Sequence, residues 1–82
     1  MKHSRKDYDR IQDPAGLIPE DEPVFLLRAQ DLGASATVRV WADLAEGRGA
    51  DPEMVANARR QANAMDAWAT KKVPDLPVSP VA

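Results

Sequence analysis

Residues 24–27, Val-Phe-Leu-Leu, form the longest unbroken stretch of large apolar side chains, with Glu20, Asp21 and Glu22 before it and Gln30 and Asp31 after it. Side chains alternate sides along a strand, and here neither side is polar, so the run predicts a short strand over residues 23–29 covered on both faces. Pro23 at its start removes no interior ladder bond. A lone strand leaves its backbone groups unsatisfied and requires a partner. Either the N-terminal arm, through a short piece at residues 9–12, or a second copy of the chain supplies it, which leaves a homodimer open.

Two helical patterns follow. Over residues 35–46, Val38, Trp41, Ala42 and Ala45 recur every three to four positions as one apolar stripe. Val40 and Leu44 widen that stripe, while Arg39 and Asp43 sit four apart on the other side, where they can pair. Asp31 and Ser35 both qualify as N-caps, having side-chain oxygens that accept from the free N–H groups of a first turn. Gly47-Arg48-Gly49 ends the helix. Asp51-Pro52-Glu53 then opens a second one, over residues 52–71, with a capping carboxylate, a proline at the first helical position and a further acid in the first turn. Val55, Ala58, Ala62, Met65 and Ala69 make its stripe, flanked by Met54 and Trp68. Most of these residues are small, which predicts an antiparallel hairpin with closely packed helices. Lys71 and Lys72 complement the negative helix end.

The flanks differ. Residues 1–22 hold Pro14, Gly16 and Pro19 without sustained periodicity and read as an irregular arm. Pro74, Pro77 and Pro80 give residues 73–82 the character of an extended, polyproline-like tail. The resulting fold class is α+β and mostly helical. One or two short N-terminal strands precede an antiparallel two-helix hairpin and an extended Pro-rich tail, with residues 23–72 as the single domain.

At 82 residues the core is small and stability modest, about 5 kcal/mol. The absence of cysteine excludes a disulfide framework or a thiolate metal site and suits a reducing cytoplasm. No apolar h-region follows the charged N-terminus, and no run reaches the roughly 18–20 residues that span a bilayer, so neither a secretory signal nor a membrane protein is expected. The formal net charge of −2 does not favour electrostatic binding to nucleic acid.

Little in the sequence carries chemistry. His3, the single histidine, lies in the charged tip, where a general base or ligand lacks orienting partners. Glu20, Asp21 and Glu22 are consecutive, unlike the spaced ligands of a cation loop. Gly47-Arg48-Gly49 follows a helix and lacks the lysine and hydroxyl of a phosphate loop. No nucleophile, base and orienting group can be assembled, so neither an enzyme nor a cofactor is expected. A helix, a glycine turn and a second helix bearing Arg59 and Arg60 resemble a DNA-reading hairpin, a signal shared by any helical hairpin. Arg28 leaves the strand beside Asp31, placed for an ion pair or a cap. Trp41 and Trp68, one per helix, are expected in the core; if exposed, either becomes an anchor for a partner.

The segments at residues 9–14, 22–31 and 65–68, with Lys72-Val73-Pro74-Asp75 behind them, resemble a group of small phage- and prophage-encoded proteins. The likeness covers residues 8–76. The group is mostly without assigned activity, and some phage proteins of this size and character are anti-CRISPR proteins that block a surveillance complex by binding it. The resemblance therefore implies a phage-encoded inhibitor or adaptor in the host cytoplasm that binds a host protein complex stoichiometrically. Arg28, Arg39, Arg59 and Arg60 are the candidate contact residues. The alternative is a small nucleic-acid-binding regulator that uses the second helix.

Overall fold

The structure, a computed structural model, describes residues 13–76. The expected partner strand at residues 9–12 and most of the proline-rich tail lie outside the described residues. Two helices, α1 (Ala34–Gly47) and α2 (Pro52–Ala67), pack as an antiparallel hairpin.

Both helix starts have identifiable causes, though only one is the expected one. At α2 the Asp51 carboxylate accepts from the Glu53 N–H at 2.8 Å, with Pro52 directly after it. At α1 neither Asp31 nor Ser35 caps. The N-cap is Gly33 in left-handed geometry (φ 86°), with no side-chain hydrogen bond. Asp31 instead closes the preceding turn: its carboxylate accepts from the Arg28 N–H and its carbonyl from the Ala34 N–H. Ser35 is used elsewhere, as a hydrogen-bond partner of Asp66 on α2.

The end of α1 is a Schellman turn. The Ala50 N–H donates to Ala45 O at 3.0 Å and the Gly49 N–H to Glu46 O at 3.1 Å, with Gly49 at φ 80°. The paired bonds satisfy two of the free helix-end carbonyls, and only glycine takes that backbone angle without a Cβ clash. α2 ends four residues earlier than the periodicity indicated. Trp68 turns to extended geometry (φ −70°, ψ 120°), and the Lys71 ammonium reaches back to donate to Met65 O at 2.6 Å. Lys71 thus answers the carbonyl end of α2 with a direct hydrogen bond from outside the helix.

The core is small. Among the described residues, Ala34 and Ala42 from α1 and Val55, Ala62 and Met65 from α2 are its buried apolar residues. Ala42 and Ala62 lose all their exposure, as expected where short side chains let two helix axes approach closely. Val40 and Leu44 stay outside it, so α1 buries a narrower arc than its apolar residues allowed.

The expected strand at residues 23–29 is not formed: among the described residues pairing is limited to isolated bridges. Leu26 and Leu27 are half-buried while Phe25 stays exposed, so the segment is covered on one side only. Within the expected strand only Val24 takes part in a bridge, and further on Asp31 bridges Lys72 in parallel. The Lys72 N–H donates to Gln30 O at 2.8 Å and the Leu32 N–H to Lys72 O at 2.9 Å. The Lys71 ammonium adds a bond to Ala29 O. The chain leaving α2 is thereby tied to the chain entering α1.

Two substitutions probe the turn chemistry. Asp51→Ala removes the α2 cap and is expected to cost about 1 kcal/mol, with Asp51→Asn close to neutral. Gly49→Ala places a Cβ at positive φ and is expected to cost ~1–2 kcal/mol. Urea midpoints at fixed m-value measure both.

Candidate functional site

The helices present two unlike flanks, and the arginines define the first. From α1, Arg39 donates to Asn63 Oδ1 at 2.9 Å and to Asp66 Oδ2 at 2.6 Å. From α2, Arg59 donates to Asp43 Oδ1 at 2.8 Å and to Glu46 Oε1 at 3.2 Å. Both guanidiniums bridge the helices, so the pairing of Arg39 with Asp43 expected along α1 does not occur. Helical geometry explains the choice: Arg39, Asp43 and Glu46 share one arc of α1, and Arg59, Asn63 and Asp66 share the arc of α2 beside it. The seam polarises its own members. Hydrogen bonds from Ser35 and Arg39 hold the Asp66 carboxyl below the usual carboxylate range, and the Glu46 and Asp43 carboxylates raise the basicity of Arg59 further.

Of the four candidate contact arginines, Arg39 and Arg59 are therefore committed to the interhelix seam. Arg60 faces Glu53 at 3.7 Å and donates to Asn57, both on its own helix. The Arg28 guanidinium alone makes no hydrogen bond or ion pair with a described residue, because Asp31 takes the Arg28 backbone N–H and leaves its side chain in solvent. The structure thus brings Arg39 and Arg59 together on the interhelix seam, both of them paired.

The opposite flank was missed in the sequence. On α1 the arc of Ala36, Thr37, Val40, Trp41, Leu44, Gly47 and Arg48 bears one charge, at its end. On α2 the corresponding arc of Met54, Asn57, Ala58, Gln61 and Met65 bears none. Both tryptophans depart from the core role expected of them: Trp41 keeps 48% and Trp68 57% of its exposure. Beside this flank the segment at residues 25–29 roofs a shallow groove of roughly 330 Å3, with Phe25, Leu26, Leu27, Val38 and Met65 in its walls. The signal that could have revealed this face is the charge-free arc itself, which a count of apolar positions alone hides.

Among the described residues no group of three or more His, Asp or Glu side chains is placed to hold a metal ion. No helix among them is long and apolar enough to cross a membrane. Comparison of the chain with protein families, curated proteins and solved structures finds no match.

The seam predicts a pH response of definite sign. Since folding lowers the Asp66 pKa, its contribution is fully present above the unfolded value of ~3.9 and is lost as pH falls through the lower folded value. Asp66→Asn removes that contribution. Wild type is expected to be the more stable at pH 7, and the gap between the two proteins should close as pH drops below about 4. Urea unfolding of the pair across that range checks it; a constant gap would show that Asp66 does not titrate with folding.

Proposed function

We propose that this chain is a stoichiometric binding module, an inhibitor or adaptor of a host protein complex of the kind phages encode, with CRISPR surveillance complexes as the first target to examine. The reading is carried by the charge-free flank, where Val40, Trp41 and Leu44 are left in water beside an apolar groove. A half-exposed tryptophan is the kind of group that anchors protein interfaces, and uncharged apolar neighbours pack around it without the desolvation cost of charge. The arginine arrangement supports the same reading over DNA binding. Arg59 is held by Asp43 and Glu46, so its use on a phosphate requires breaking two ion pairs first.

Arg28 then serves as the free cation that meets a carboxylate at the edge of the contact, and Arg39 and Arg59 contribute by holding the helices in register. The test is titration of purified protein against surveillance complexes and, separately, against duplex DNA over a salt series. Saturable protein binding is expected, weakened about ten-fold or more by the paired change Val40→Ser, Leu44→Ser, a loss of roughly 1.4 kcal/mol, and less by Arg28→Ala. Salt-steep DNA binding that vanishes in the Arg59→Ala, Arg60→Ala variant, without any protein target, would overturn the proposal.

A further inference from the structure

We propose that the Lys71 ammonium is a clasp that holds the roof of the groove down on the helices, and that releasing it opens the apolar wall formed by Val38 and Met65. This goes beyond the binding reading above and needs no host target.

The acceptors of Lys71 define the clasp. Its Nζ donates to Ala29 O at 2.8 Å and to Met65 O at 2.6 Å. Ala29 belongs to the roof and Met65 to α2, and both line the same groove of roughly 330 Å3. One ammonium therefore ties one wall of the groove to the other. Neither acceptor is a carboxylate, and among the described residues Lys71 forms no ion pair. Its charge is satisfied through these two carbonyls, and hydrogen bonds from a charged donor are stronger than neutral ones. The Met65 carbonyl also lies in the last turn of α2, where the helix dipole favours a cation.

The roof has little else to hold it. Residues 25–27 make no backbone hydrogen bond with a described residue, and of their side chains Leu26 and Leu27 are only half-buried while Phe25 is exposed. The backbone bonds of Arg28 run to Asp31 inside their own turn: the Asp31 N–H donates to Arg28 O at 2.9 Å, and the Asp31 carboxylate accepts from the Arg28 N–H at 3.2 Å. That turn stiffens the end of the roof without fixing it to the helices. Lys72 is tied to Gln30 and Leu32 through the main chain. Among the described residues, the bond from Lys71 to Ala29 is the one side-chain tie between the roof and the chain leaving α2. A substitution at position 71 therefore removes it without altering any backbone donor or acceptor.

Met65 reports whether the roof is closed. Its side chain lines the groove yet keeps only 7% of its exposure, whereas Met54, in the first turn of the same helix, keeps 47%. A thioether shielded from solvent resists a dissolved oxidant, and an exposed one is converted to the sulfoxide.

Dilute hydrogen peroxide acting on the full chain, followed by peptide mass spectrometry, reads both methionines in one sample. In the wild type Met54 is expected to oxidise well ahead of Met65. Lys71→Leu removes the ammonium, and the rate at Met65 relative to Met54 should rise about ten-fold or more while far-UV circular dichroism keeps its helical signal. Lys71→Arg keeps a cationic donor and should stay close to the wild type. Unchanged protection of Met65 in Lys71→Leu, or an arginine variant as open as the leucine one, would overturn the proposal. A loss of helical signal in Lys71→Leu would overturn it as well, by making Lys71 a support of the whole hairpin. Failure to find a host target would count against the proposed function and leave the clasp standing.

Discussion

Ala42 and Ala62 are wholly buried because neither side chain is long enough to hold the helices apart, and the rest of the hairpin follows from that closeness. With the axes close, Arg39 spans the gap to Asp66 and Arg59 spans it to Asp43 and Glu46, which helices separated by leucines would place at longer reach. The alanine contact itself buries little area. Val55 and Met65 supply the larger apolar burial, and the turn at residues 48–51 keeps the helices adjacent in sequence so that closing the contact costs little loop entropy.

The seam of arginines and carboxylates stabilises less than its geometry suggests, since exposed ion pairs are largely offset by side-chain entropy and solvent. Its larger effect is on register. Sliding α2 by one turn past α1 would break the pairs of Arg59 and Arg39 together. With so few large side chains interlocked in the core, the charges do much of the aligning. They also leave the other flank without charge, and the two properties come from one arrangement of residues.

Local signals read correctly at two helix boundaries and missed the start of α1, where Gly33 stands as N-cap in place of Asp31 or Ser35. Asp51-Pro52-Glu53 set the start of α2, and Gly47-Arg48-Gly49 set the end of α1, because a cap or a left-handed turn is decided by two or three neighbouring residues. The strand reading of residues 23–29 failed for a general reason: four apolar residues in a row also suit an irregular segment pressed on one side against helices, as Leu26 and Leu27 are. α1 carries apolar residues over most of its circumference, so periodicity could not say which arc meets α2. The arc shared by Arg39, Asp43 and Glu46 fixes the answer, and it excludes Val40 and Leu44 from the core. The candidate arginines were visible as residues, but that three of them are already paired depends on Asn63, Asp66, Asp43, Glu46 and Glu53 being near in space. As for what the chain binds, no residue pattern in it names a target.

The hydrogen bonds of Lys71 and Lys72 to Ala29, Gln30 and Leu32 join the two ends of the hairpin where a simple helical hairpin is open. They turn the pair of helices into a closed circuit. The first turn of α1, the last turn of α2 and the segment roofing the groove then share one set of bonds, so fraying at any of them loosens the others. In hydrogen-exchange terms these three places form a single opening unit. A molecule that grips the groove wall at Leu26 or Leu27 would be felt at the far end of the chain, in the exit from α2.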